Sequence, residues 1–385
     1  MNLEEETDIG RRKILKSALA AGAASISSWA FPALAQGESL VPFTDVPEDF
    51  AVRPVSPGTN HFLDTREITS YFTPNEDYYI VQHYGQPEVD ENSYRLRVTG
   101  MVDNELEFSL QDIIDKDAIE LQVGFECGGN RASIFHGLIG NGRWRGIQLT
   151  NILEEAGIQD GAKEIVFFGA DIATEEIRGR EVEQAFARSL AIEDAMSPDN
   201  LLAYEMNGEP LPHYHGKPLR LLVPGWYGVA NVKWLTHIHV QDTRYMGRFM
   251  GRDYVTLKRE NIGGTQRWVE NSVTKMNLKS AIIRVVERSG QHRIQGFVLN
   301  DGTLIDSVEV KIDNGPWRPA QINPRSTKYS WKLFNLDWSD VTPGDHTIVS
   351  RATDINGNVQ LTQEELPKKV SFWENFGQFP RTVRI

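Results

Sequence analysis

From about Val273 onward the chain breaks into short, β-branched runs at even spacing, and this rhythm restricts the fold more than any other feature. The runs fall at 281–286, 293–298, 307–312, 329–334 and 346–352. Turn signals lie between or just beyond them, at Asn300-Asp301-Gly302, Asp313-Asn314-Gly315 and Asn356-Gly357. Short strands punctuated in this way predict an antiparallel β-sandwich of immunoglobulin-like type over 273–385.

Upstream the texture differs. Residues 36–60 are Pro-rich and aperiodic, which predicts an extended lead-in strapped over the surface. Residues 61–261 mix strand and helix signals. Tyr94 to Val98 alternate like a strand that stops at Gly100, and Ser109 is placed to cap a short helix through Lys116. Thr150 to Ala156 carry Ile152, Leu153 and Ala156 on one side, with Gly157 as the stop. Apolar runs at 219–223 and 232–240 suit buried strands. The order is irregular, so a mixed α+β domain is expected rather than a doubly wound one.

The 385 residues are 40% hydrophobic, enough to build cores for two domains. With one Cys, neither a disulfide scaffold nor a Cys-rich metal protein is available, and no CxxCH offers covalent haem attachment. A formal net charge of −13 argues against nucleic acid as a partner. An anionic substrate would need a local cluster of cations working against that field.

Arg11-Arg12 with Ile14-Leu15-Lys16, an Ala-rich stretch, and Ala33-Leu34-Ala35 predict a twin-arginine signal peptide over 1–35, cut before Gln36. Gly22, Pro32 and four Ser make the stretch a poor membrane span. The implied destination is the periplasm, reached by a folded protein already carrying a tightly held cofactor.

The chemistry-bearing residues form two constellations. Phe125-Glu126-Cys127-Gly128-Gly129-Asn130-Arg131 follows an apolar strand-like run. A Cys at a strand end before two glycines sits where backbone can approach a large ligand. Asn130 and Arg131 add an amide and a planar cation suited to an oxyanion. The residues alone leave three roles for Cys127: a buried structural thiol, a nucleophile, or a metal-bound thiolate. The second constellation is His213-Tyr214-His215-Gly216-Lys217-Pro218-Leu219-Arg220, running on to Pro224-Gly225 and Val232-Lys233-Trp234. His215, Arg220 and Lys233 together suit a phosphate dianion. On a strand, His213 and His215 would face one way and could bind zinc, though no further ligand is nearby. A solvated basic loop is the bland alternative.

Together these segments resemble the sulfite oxidase family of molybdopterin enzymes. FECGGN, WRGIQLTNILEEAG, LLAYEMNGEPLPHYHGKPLRLLVPG and VKWL carry the resemblance, which runs from about Tyr79 through Val240 and into the sandwich. The resemblance implies a molybdopterin-binding domain over 61–261 followed by the family's dimerisation domain. It implies that Cys127 is the thiolate ligand of molybdenum. Gln82 and His83 in YYIVQH, Asp171 in FFGAD, His215, Arg220, and Asn231, Val232 and Lys233 would bind the pterin. Tyr254 in GRDY falls where the family keeps a tyrosine near the substrate. Soft thiolates suit such a metal, and a pterin phosphate needs donors of this kind.

The chain also departs from the family pattern. Val81 and Ala132 stand where sulfite-oxidising members keep arginines, and a pocket Trp between Cys127 and Trp144 is missing. Each lost guanidinium weakens charge-assisted binding of a small dianion by roughly 1.5–3 kcal/mol in a dry site. Arg131, His136, Arg252 and the late Arg381 are the candidates to compensate. The resulting expectation is a periplasmic molybdenum oxidoreductase oxidising sulfite or a related sulfur oxyanion. With no haem or flavin pattern in the chain, electrons would pass to a c-type cytochrome or haem subunit. The alternatives are a same-family enzyme with another substrate such as a sulfoxide, a thiol-nucleophile enzyme, and a non-catalytic envelope binding protein.

Overall fold

Strand pairing organises the molecule. The structure, a computed structural model, describes residues 33–46, 50, 52 and 60–385. The twin-arginine segment, apart from residues 33–35, and much of the lead-in therefore lie outside the described residues.

Two five-stranded sheets form the first half. One runs Leu106–Ser109, Arg95–Gly100, Leu235–Gln241, Glu164–Ile177, Arg180–Ala191 in spatial order. Leu96 and Val98 are wholly buried while Arg95 and Arg97 face solvent, so the alternation in sequence becomes one buried and one wet face. The other sheet orders Arg220–Leu222, Leu201–Met206, Ile139–Gln148 and Ala118–Glu126, with Glu209–Pro210 paired to Leu201–Met206. A single core spans both sheets and includes Phe125, Trp144, Leu221, Val232 and Ile238.

The helices are short. Leu110–Ile114 is capped by Ser109 through a reciprocal capping box with Asp112. Leu149–Ala156 buries Leu149, Ile152, Leu153 and Ala156 and stops at Gly157. This eight-residue helix is the longest α-helix among the described residues. The region is thus more strand-dominated than the mixed α+β expectation. Its apolar residues alternate or run unbroken, and seldom keep helical spacing for even three turns. None of the described helices is long and apolar enough to cross a membrane.

Two further sheets make the second half. Ser39–Val41, Lys279–Arg288, Gln291–Leu299, Lys332–Trp338 and Gln321–Ile322 form one, and Trp317–Pro319, Ile305–Ile312, Asp345–Asp354 and Arg381–Arg384 the other. Ile282, Val285, Ile294, Val298 and Phe334 pack against Val308, Val310, Ile348, Ala352 and Val383 between them. Two details depart from the sequence reading. The lead-in, expected as an extended strap over the surface, contributes the edge strand Ser39–Val41, antiparallel to Lys279–Arg288. The strand expected at 329–334 is Lys332–Trp338, because Trp331 turns into the core and donates its backbone N–H to Asn141 Oδ1 at 3.2 Å.

The two halves are fastened next to Cys127. Lys279 Nζ lies 2.6 Å from Glu126 Oε2, both side chains being 2% exposed. The segment 372–375 reaches back to the cysteine loop: Glu374 N–H donates to Gly128 O at 2.7 Å, and Asn375 Nδ2 to Asn130 O at 3.4 Å.

Candidate active site

A cavity opens at the edge of the first-half core, lined among others by Tyr79, Gln82, His83, Cys127, Asp171, His215, Arg220, Lys233 and Tyr254. Five chain segments far apart in sequence supply these residues, each set by a local feature.

Cys127 follows the Ala118–Glu126 strand, with its N–H on Leu138 O at 3.0 Å and its Sγ 3.5 Å from the Gly129 N–H. Burial pushes its thiol up to about 11. A thiol held protonated, with no imidazole hydrogen-bonded to it, is a poor nucleophile until a cation or metal stabilises the thiolate. Asn130 is buried and fully used inside its loop, donating to Glu126 Oε2 and His136 O and accepting from the Leu138 N–H. It braces the Cys127 turn and offers nothing to an oxyanion. Arg131 is exposed, and its Nε donates to Ser133 Oγ at 2.9 Å.

His213–His215 forms one 3₁₀ turn, not a strand, which separates the two imidazoles. His215 is buried with Nε2 on Asn75 O at 3.1 Å, while His213 stays partly exposed near Glu88. Among the described residues no group of three or more His, Cys, Asp or Glu is placed to hold a metal ion. Gly216 ends the turn at φ +106°, and a Cβ there would sit 2.9 Å from Lys233 Cβ. The glycine thus lets the two cationic segments meet.

Arg220 donates to His215 O at 3.0 Å and Asn231 O at 3.2 Å. Lys233 donates to Tyr214 O at 3.0 Å and lies over the Trp234 ring. Burial and the Arg220 charge lower Lys233 to about 7, and burial raises Asp171 to about 6 against the pull of Lys233. His83 is pushed down to about 4 by burial, then by Lys233 and Arg248, so it is a neutral ring at neutral pH. Its Nε2 lies 2.9 Å from the Tyr254 hydroxyl. Tyr254, held at φ +53°, also touches Cys127, and burial raises its pKa well above the ordinary value.

The cavity wall tests whether a large polar cofactor fits. Tyr78 OH, Tyr79 OH, Gln82 Nε2 and Oε1, Asp171 Oδ1 and Arg220 Nε are all buried there without a protein partner. Each such atom costs about 1–3 kcal/mol unless something pairs with it. The set contains both donors and acceptors beside two cations, which matches a pterin with polar ring edges and a phosphate.

Not every expected residue converges. Asn231 lines the cavity, but Val232 is packed in the core. Arg381 is a correction: it lies outside the cavity lining, caged against Phe43, Phe135 and Phe379 with its guanidinium 3.2 Å from Asp45. His136 is buried beside Phe379, and Arg252 reaches Gln184 and Glu175. Tyr78, Tyr79 and Phe186 line the cavity without having been singled out. A tyrosine in an apolar run reads as core, and only the YYIVQH motif hinted at Tyr78 and Tyr79.

Residues 83–249 match the model of the oxidoreductase molybdopterin binding domain. Sulfite oxidase of Arabidopsis thaliana is 30% identical over 338 residues, covering 76% of this chain and 83% of the plant protein. The chain belongs to the sulfite oxidase family. Human mitochondrial sulfite oxidase is 31% identical over 320 residues, and the match spans 57% of its length. The chain therefore corresponds to little more than half of the mitochondrial family members. The crystal structure of the sulfane dehydrogenase SoxCD from Paracoccus pantotrophus superimposes with a TM-score of 0.73 at 24% identity, covering 88% of this chain and 90% of that one, which speaks to the shared fold.

Proposed function

We propose that this family member is a molybdopterin-dependent oxidoreductase acting at a sulfur centre in the periplasm, with sulfite or a related sulfur oxyanion as substrate. The row of unpaired buried polar atoms around Cys127 carries the reading. When bound, the cofactor supplies two-electron oxygen-atom transfer between water and sulfur.

The chain's residues hold and shape that chemistry. Cys127 Sγ is the ligand atom. Asp171, Gln82 and Arg220 meet the pterin edges, and His215, Arg220 and Lys233 meet its phosphate. Tyr254 directs its hydroxyl at the reacting side of Cys127, and neutral His83 fixes that hydroxyl. Tyr79, Val81 and Phe186 keep water from the wall. Electrons leave to a separate c-type cytochrome or haem subunit, and the second half acts as an immunoglobulin-like dimerisation unit.

One observation favours a second reading, the same chemistry on another sulfur compound such as a sulfoxide. Val81 lines the cavity, and among the described arginines only Arg220 does.

Elemental and pterin analysis of purified protein tests the proposal. About one molybdenum per chain, lost in Cys127→Ser, is expected; metal-free protein with an intact fold would end it. Sulfite turnover with a cytochrome c acceptor, compared with sulfoxide reduction by a reduced viologen dye, separates the two readings. For the address, replacing Arg11 and Arg12 by Lys should leave the protein in the cytoplasm of a bacterial host with twin-arginine export. Unchanged periplasmic recovery would reject that route.

A further inference from the structure

Phe186 and Arg188 leave the strand Arg180–Ala191 on the same face. Phe186 lines the cavity, and Arg188 is 1% exposed. The guanidinium donates from Nη1 to Phe249 O and from Nη2 to Val273 O at 2.6 Å, while its Nε has no protein partner. No carboxylate pairs with it among the described residues. Burial lowers its pKa only to about 10, so the charge stands at neutral pH. Two carbonyl dipoles solvate that charge without cancelling it.

Both carbonyls belong to the wall on the Tyr254 side of Cys127. Phe249 packs on His83 and Phe186, with ring centroids 4.6 Å away in each case. Val273 donates its N–H to Tyr254 O at 2.8 Å, and a Cβ at Gly128 would meet Val273 Cγ1 at 3.0 Å. Arg188 is therefore bonded to a residue that touches both Tyr254 and the turn after Cys127. Its charge is within electrostatic reach of Tyr254, whose ring is itself held by Trp373, stacked with centroids 4.1 Å apart.

Other cations on this side differ in setting. Arg131 and Arg252 are exposed, where water and salt screen them, and Arg248 is paired with Glu175 and Asp253. Arg220 and Lys233 lie with His215 and Asp171, where the proposed function puts the pterin and its phosphate. A charge buried without a counter-ion acts over a longer range than any screened one.

We propose that Arg188 is a specificity-determining residue, whose buried and uncompensated charge selects an anionic sulfur compound over a neutral one of similar shape. The inference rests on the molybdopterin reading and deepens it. Arg188 supplies from behind the wall part of the positive field that Val81 and Ala132 do not provide. A sulfur oxyanion gains from that field, and a neutral sulfoxide or sulfone gains far less.

Two unreactive tetrahedral sulfur compounds separate charge from shape: sulfate and dimethyl sulfone. Calorimetric titration of oxidised, molybdenum-loaded protein, with no electron donor or acceptor, should show the parent binding sulfate more tightly than the sulfone. Arg188→Gln keeps an amide donor for the carbonyls and loses the charge. Its sulfate affinity should fall about tenfold while its sulfone affinity holds. Arg188→Lys should recover most of the sulfate affinity at about pH 6, where a buried ammonium is still protonated. Where Arg188→Gln carries less molybdenum than the parent, Arg188→Met decides by the same comparison. A parent that does not prefer sulfate overturns the inference. So does a sulfate-to-sulfone ratio unmoved in the neutral variant at full molybdenum content, which would reduce Arg188 to a brace of the wall. A molybdenum-free parent would remove the functional reading, and this inference with it.

Discussion

Glu126 and Lys279 form an ion pair out of reach of water, one residue from the candidate metal ligand. Removing one partner strands the other charge. Lys279→Met should therefore lower unfolding free energy by about 3–5 kcal/mol, and adding Glu126→Gln should restore much of it. Denaturant midpoints of the two variants check this, and equal losses would mean the pair's charge is not what matters. Tyr254→Phe removes the hydroxyl that His83 holds while keeping the ring on Trp373. It should cut kcat by roughly 10²–10³-fold, as loss of one preorganised donor does, with molybdenum content unchanged. At this scale Cys127, His215, Arg220 and Lys233 stood out as chemistry-bearing residues beside apolar runs, whereas His83 and Asp171 came only with the family resemblance. Trp373 did not stand out, because only the fold brings 372–375 onto Gly128 and Gly129. Arg381 misled for a related reason. Its pairing with Asp45 depends on the Arg381–Arg384 strand and the bridge between Phe43 and Val383, neither visible as a motif.

Among the elements, the sandwich strands were easiest to read, since one face of each is buried and alternation survives in the sequence. The hairpin made by Glu164–Ile177 and Arg180–Ala191 and that made by Val255–Ile262 and Thr265–Ser272 were not anticipated. Their outer parts, such as Thr174, Glu176, Arg180 and Glu181, pair while exposed, so little apolar pattern marks them. One inter-strand contact carries a pH dependence. His346 Nδ1 lies 2.7 Å from Asp313 Oδ2, with Nε2 on Thr342 O, and these bonds raise the histidine pKa. Its contribution is complete below the ordinary value of about 6.5 and is lost as pH rises through the higher folded value. Burial works against ionised Asp313, but the His346 and Thr347 hydrogen bonds outweigh it and hold its pKa low. That share is present above about 4 and fades as pH falls through the lower folded value. Stability should thus decline from pH 6 to pH 9 more in the parent than in His346→Gln. Parallel melting-temperature profiles for the two would refute this.

At the scale of the whole molecule, a net charge of −13 sets a long-range field that a cationic redox partner would follow. Reduction of a basic c-type cytochrome should slow as ionic strength rises from about 0.01 to 0.1 M, where the screening length drops from about 30 to 10 Å. A rate indifferent to salt would place recognition in short-range contacts. The sandwich strands of the second half were readable, but the two sheets of the first half were not, nor was the joint between the halves, which rests on single residues such as Lys279 and Glu374 whose partners lie over a hundred positions away.

That joint also imposes an order of events. Residues 372–375 lie downstream of every cavity-lining side chain, yet they supply the last wall against the cysteine turn. A nascent polypeptide halted anywhere before them would leave that turn uncovered. The covering of that turn is thereby tied to synthesis of a segment far downstream of Tyr254, the last of the lining residues.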